Sequence, residues 1–161
     1  MLTNPDGEDR PFITPSLMFT GDNTNHAEEA INLYLSIFKN SKKGNLAPYP
    51  KDTEPAKKGA LMYGDLQIKN TWLAVMDSGV EQDFTFNEGI SIIVPCEDQK
   101  EIDHYWEQLT ADGGAESQCG GLKDKYGREC YLRNTTKIIT ICINGSKDNY
   151  NSKLPIYHRH L

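Results

Sequence analysis

One pattern limits this chain more than any other: a short apolar run, a capped amphipathic helix and further strand-like segments occur in that order twice, displaced by about 75 residues. In the first copy Ile13 to Phe19 is an apolar run fit for a strand, and Thr20 to Asn25 is a polar turn. Asn25, with Glu28 three residues on, has the form of a capping box. Ala27, Ala30, Ile31, Tyr34, Ile37 and Phe38 then recur at helical spacing, which gives one apolar face. Lys43 to Tyr49 is a weaker strand candidate and ends in a Pro- and Lys-rich loop at 48–58. Ala60 to Lys69 alternates as a strand, with Leu61, Tyr63, Asp65 and Gln67 on one side, and Thr71 to Met76 is a third strand. The turn between them falls at Asp65-Leu66 or at Lys69-Asn70-Thr71.

The order then restarts. Gly89 to Cys96 is an apolar strand, and Asp98 with Glu101 caps a second helix. Ile102, Tyr105, Trp106 and Leu109 form its buried face, Gly113-Gly114 ends it, and weaker strand material follows to residue 134. A period this long is not that of a solenoid, so the pattern predicts a duplicated α+β unit. The expected organisation is a loose leader over 1–11, a first module over 12–78, a linker over 79–88, a second module over 89–134 and an extension over 135–161.

Composition narrows the function class. The chain has 161 residues, with 17 Lys+Arg against 23 Asp+Glu and a formal net charge of −6. Nucleic acid is not the expected partner, because neutralising phosphates needs a basic face and the lysines here are scattered. No apolar run approaches the ~18 residues of a membrane span, and the polar start has no apolar core to read as a secretory signal. Cysteines at 96, 119, 130 and 142 never form C-x-x-C, which points to reduced thiols in a cytoplasmic protein.

Four stretches carry a family likeness. The first is Ile13-Thr14-Pro15 leading to Phe19, with Ala27-Glu28-Glu29-Ala30 and Tyr34 through Phe38. The second is Phe86-Asn87-Glu88 followed by Ile90-Ser91, and the third is Tyr105-Trp106 with Leu109. The fourth is Glu116-Ser117-Gln118-Cys119-Gly120 with Leu122-Lys123-Asp124-Lys125-Tyr126-Gly127. Together and in this order they resemble the PhnB-like branch of the vicinal oxygen chelate (glyoxalase/bleomycin-resistance/dioxygenase) superfamily. The resemblance implies an α+β fold of two βαβββ modules, whose curled mixed sheets surround a shared cleft. It also implies a small-molecule ligand, often held over a divalent metal, and a homodimer. PhnB-like chains are often labelled ubiquinone-pathway methyltransferases, but no glycine-rich strand-to-helix loop suited to a nucleotide-derived methyl donor occurs here. After Gly127 the likeness fades, and Ile138 to Ile143 is one more apolar strand candidate.

Metal-bearing relatives place His or Glu at four strand positions. Laid on this chain, those positions fall near Pro15 or Ser16, around Ala74 to Met76, near Ile90 or Ser91, and at Tyr131. None is a metal-binding residue type, although Asp77 and Glu129 lie one and two steps away, so no metal and no cofactor is expected. His26 and His104 fall on the helices, and His158 and His160 in the terminal segment, away from such strands. Cys119, beside Lys123, is a candidate nucleophile without a histidine base, or else a small core residue. Lys123 and Asp124 suit an anion-holding pair or a surface ion pair. The ligand-binding candidates are Phe19, Met62, Trp72, Met76, Ser91, Gln118, Cys119 and Lys123, and strand alternation turns about half of such a list away from any cleft. The expected function is that of a metal-free small-molecule binding or sequestering homodimer. The alternatives are a superfamily lyase, isomerase or dioxygenase with an altered metal site, and a structural or regulatory dimer with a filled cleft.

Overall fold

The computed structural model describes residues 6–87, 89–117 and 121–134. The chain divides into two compact units, Met1–Phe86 and Asn87–Leu161.

In the first unit β1 (Ser16–Phe19) leads through a single 3-10 turn into α1 (Ala27–Ile37), followed by β2 (Ser41–Pro48), β3 (Leu61–Ile68) and β4 (Thr71–Asp77). The sheet order is β1-β4-β3-β2, with β1 parallel to β4 and the remaining pairs antiparallel. The helix buries the face its spacing predicts: Ala27, Ala30, Ile31, Tyr34 and Ile37, with Phe38 just beyond. That face packs on β3 and β4, over Leu17, Phe19, Leu66, Leu73 and Val75. Each fully buried Leu, Ile or Phe is worth roughly 1.5–3 kcal/mol, so this layer is the core of the unit. The β3–β4 turn is Lys69-Asn70, closed by the pair Ile68 and Thr71. Lys69 takes a left-handed φ of 51° there, and Asp65 lies in mid-strand rather than in a turn.

The N-terminus of α1 is not held as its sequence predicts. Asn25 has φ 76° and turns its side chain away, accepting from the Lys57 N–H at 2.8 Å and donating to the Pro55 carbonyl. The N-cap residue is His26, and its side chain makes no capping bond. Instead Asp77, at the end of β4, accepts the Ala27 N–H on Oδ1 at 3.2 Å and the Leu61 N–H on Oδ2 at 2.8 Å.

Residues beyond β4, expected as a linker, pack on the first unit. The Thr20 hydroxyl donates to the Phe84 carbonyl, and Phe86 stands edge-on to Phe19 with ring centroids 5.0 Å apart.

The second unit repeats the plan: β5 (Ile92–Cys96), α2 (Gln99–Leu109), β6 (Ala115–Glu116), β7 (Gly121–Lys123) and β8 (Glu129–Asn134). Its order is β5-β8-β7-β6, again with the first strand parallel to the last. Here the sequence reading of the cap holds. Asp98 Oδ1 accepts the Glu101 N–H at 2.8 Å, and Glu101 reaches back to accept the Glu97 N–H at 2.7 Å. Tyr105 and Leu109 are buried, whereas Ile102 and Trp106 are half-buried. Gly114 closes the helical segment where only glycine fits, since a Cβ there would stand 2.6 Å from the Leu109 carbonyl. Strand β5 begins at Ile92 rather than Gly89, and Ile90 is exposed. Among the described residues the architecture is two four-stranded mixed sheets, neither closed, each with one long helix.

Candidate functional site

Because side chains alternate along strands, the sheet of the first unit has a helix side and an open side. The register places Ser16 beside Ala74, Met18 beside Met76, Asp65 beside Ala74, and Gln67 beside Trp72, all on the open side. A register shift at Ala47/Pro48 breaks the alternation, so Leu61 is buried in the core while Tyr63 and Asp65 stay on the open face.

Asp65 is the centre of that face and is only 1 % exposed. Its Oδ1 accepts the Asn45 N–H at 2.6 Å and Arg10 Nη2 at 3.3 Å. Its Oδ2 accepts Arg10 Nε at 2.7 Å and the Tyr63 hydroxyl at 3.1 Å. A carboxylate offers about four lone-pair sites, and all four are used. The Arg10 guanidinium also stacks on Trp72, with Cζ 3.5 Å from the ring centroid, and Lys42 Nζ lies 5.6 Å from the same ring. Hydrogen bonding to Asp65 holds the Arg10 guanidinium charged well above its ordinary range. Burial, reinforced by the Asp65 charge, raises the Tyr63 phenol as well. Gly44 makes the approach possible, because a Cβ there would meet Asp65 Oδ1 at 1.9 Å and Trp72 at 2.8 Å. A register shift between Lys43 and Leu46 carries this backbone over the carboxylate. The arrangement can recognise a planar cation, and it presents neither a nucleophile nor a general base.

The family model described as 3-demethylubiquinone-9 3-methyltransferase matches residues 11–130. The chain belongs to this PhnB-like family. Among solved structures it is similar to the PhnB protein of Bacillus cereus, with a TM-score of 0.68 and 32% identity over 78% of this chain and 100% of that one. Protein PA1353 from Pseudomonas aeruginosa shares the fold, with a TM-score of 0.60 and 20% identity over 77% of this chain and 100% of that one. So does the fosfomycin resistance protein FosX from Mesorhizobium loti, with a TM-score of 0.52 and 13% identity over 80% of this chain and 94% of that one. No curated protein matches the chain. The glyoxalase/bleomycin-resistance fold expected of a PhnB-like protein is therefore the fold it has.

The metal that this superfamily often carries does not fit the described residues. Ser16, Ala74 and Met76 occupy the open-side positions of β1 and β4 and supply no carboxylate or imidazole. Asp77, the nearest carboxylate, points to the helix side and is spent on two backbone N–H groups. Burial raises its carboxyl above the usual range, while the N–H groups it accepts oppose the rise. In the second unit Ile90 and Ser91 precede β5, and Tyr131 pairs with Ile93. Among the described residues no group of three or more His, Cys, Asp or Glu side chains stands close enough to hold a metal ion.

The ligand-binding candidates separate in the structure. Trp72 and Met76 share the open face of the first sheet, Trp72 beneath Arg10. Phe19 does not join them, since it pairs with Asp77 on the helix side and is fully buried. Met62 is half exposed, Ser91 lies just before β5, and Lys123 ends β7 half-buried. Gln118 and Cys119 lie outside the described residues, as do Ile138 to Ile143, His158 and His160. Asp124 serves the turn between β7 and β8. It is 1 % exposed, and Oδ1 accepts the Tyr126 and Arg128 N–H groups at 3.0 Å each, pinning the β7–β8 turn. Burial pushes the Cys130 thiol up to about 11, which suits a core residue rather than a nucleophile. The sequence reading missed Arg10, Gly44 and Asp65 as partners. An acidic residue amid an alternating strand was the one signal for Asp65, and nothing local marked Arg10.

Proposed function

We propose that this PhnB-like protein is a cytoplasmic homodimer that binds or sequesters a small molecule without a metal. The observation that carries the reading is the open face of the first sheet. At the strand positions where metal-bearing relatives carry carboxylate or imidazole it has Ser16, Ala74 and Met76, with Trp72 and the saturated Asp65 on the same face. Aromatic and thioether surface with a few fixed polar groups is the lining of a small-molecule site. Among the described residues no helix is long and apolar enough to cross a membrane. The methyltransferase description of the family does not extend to this chain's activity on this reading. The connection from β1 to α1 has Gly21 as its one glycine and so lacks a glycine-rich phosphate cradle.

The test is elemental analysis of protein purified without chelators, together with sedimentation and a thermal-shift screen of small molecules. The expected result is a dimer without stoichiometric metal, whose Tm rises with one chemical class. Stoichiometric Ni, Zn, Fe or Mn would sink the metal-free reading, and a monomer would sink the homodimer.

A further inference from the structure

The cation on the open face comes from an unexpected place. Asp65 and Trp72 belong to paired strands and are almost fully buried, at 1 % and 5 % exposure. Arg10 belongs to the leader, which has neither helix nor strand over residues 6–15. The rest of that leader is held by ion pairs on its surface, Arg10 with Asp6 at 2.5 Å and Glu8 with Lys42 at 2.5 Å.

Removing the Arg10 side chain in thought shows what the sheet itself provides. Asp65 keeps the Asn45 N–H on Oδ1 and the Tyr63 hydroxyl on Oδ2. Each oxygen is left with one open acceptor position, so the pair forms a two-pronged fork beside the face of Trp72. A buried carboxylate with two neutral donors still lacks a counter-charge. A planar guanidinium meets both demands at once, bidentate to the carboxylate and stacked on the indole, whereas a compact ammonium meets only one well. Gly44 adds no side chain of its own at the carboxylate, where a Cβ would stand 1.9 Å from Asp65 Oδ1.

We propose that Trp72, Asp65 and Tyr63 form a binding site for a guanidinium-bearing small molecule, and that Arg10 occupies it in cis until such a ligand displaces the leader. The site is complete within the first unit, so it holds whether or not the protein is metal-free or dimeric. A tethered side chain competes at an effective concentration of about millimolar, so the leader sets a threshold that only a well-matched ligand crosses.

Chemical rescue tests this. In a Trp106→Phe background Trp72 is the sole tryptophan, and Arg10→Ala empties the fork. Methylguanidinium titrated at millimolar concentration is expected to shift Trp72 emission saturably. Urea, neutral and similar in shape, should give no saturable shift, and methylammonium should bind more weakly than methylguanidinium. Adding Asp65→Asn should weaken the response at least about tenfold, and restoring Arg10 should weaken it by a similar factor. Equal responses to methylguanidinium and urea, or an undiminished response with Asp65→Asn, would overturn the site. An equal response with Arg10 present would overturn its occupancy in cis. If the Arg10→Ala chain does not fold, refolding it with either solute gives the same decision. Recovery with methylguanidinium alone supports the site, and no difference between the two solutes refutes it.

Discussion

Helices α1 and α2 are each 11 residues long, and each follows the first strand of a sheet with the same strand order. The groups holding their N-termini come from different distances. Asp98 and Glu101 close the start of α2 within one turn, and Glu101 Oε1 also accepts the Tyr105 hydroxyl at 3.1 Å. The start of α1 is closed by Asp77, 50 residues away, which also anchors the first residue of β3. In register Asn134 ends β8 where Asp77 ends β4. The comparison teaches that one topology tolerates two capping schemes. A local cap stabilises a helix, whereas a distant cap ties the helix to the sheet and makes the unit depend on one buried carboxylate.

The largest effect should follow from breaking the distant cap. Asp77→Ala orphans two backbone donors in a buried place, at about 1–3 kcal/mol each, so a loss of about 2–6 kcal/mol is expected in urea unfolding of the first unit. A loss no greater than that of a surface substitution would mean that water or another side chain takes over the cap.

Next in size is Gly44→Ala. The added carbon cannot coexist with Asp65 Oδ1 at 1.9 Å, so the carboxylate must leave the Asn45 N–H or β2 must move. Overpacking of this kind costs about 1–3 kcal/mol. Trp72 emission should shift to longer wavelength as the Arg10 stack loosens, and an unchanged spectrum would show that the stack does not need Asp65 in place.

The same contrast explains what the sequence could reveal. The apolar faces of α1 and α2, the strands around them and the Asp98 cap depend on neighbours within a turn or on strict alternation, and they were legible. Asn25 and Glu28 also had the right letters for a cap, yet the left-handed backbone at Asn25 spends that side chain on residues 55–57. Asp77 was one letter at the end of a strand, and its two partners are set by tertiary packing. Arg10 was unreadable for the same reason, since a leader residue gains meaning only from the strand pair it lies upon. Phe19 was misplaced because alternation tells which residues share a face but not which face meets the helix.

A smaller effect is expected on the local side of the comparison. Asp98→Ala removes one capping acceptor at an exposed position and should cost about 1 kcal/mol, read in the unfolding of the second unit. Glu101 keeps its bond to the Glu97 N–H, so the helix should fray rather than melt.

The subtlest contrast is in pH. Burial raises the Asp77 carboxyl above 3.8, its ordinary value, with the N–H groups it accepts opposing the rise. A carboxyl raised on folding binds more protons in the native state than in the unfolded one. Its contribution is therefore fully present below the unfolded value and is lost as pH rises through the folded value. Asp77→Asn removes the titration and keeps one acceptor oxygen, so the constant cost of the lost acceptor cancels in the slope. The stability of the wild-type chain minus that of Asp77→Asn should fall as pH rises from the ordinary carboxyl value of 3.8 through the raised folded value, by about 1.4 kcal/mol for each unit separating the two. A wild-type advantage that grew with pH would mean that the accepted N–H groups outweigh burial, and that Asp77 caps α1 as an ordinary stabilised carboxylate.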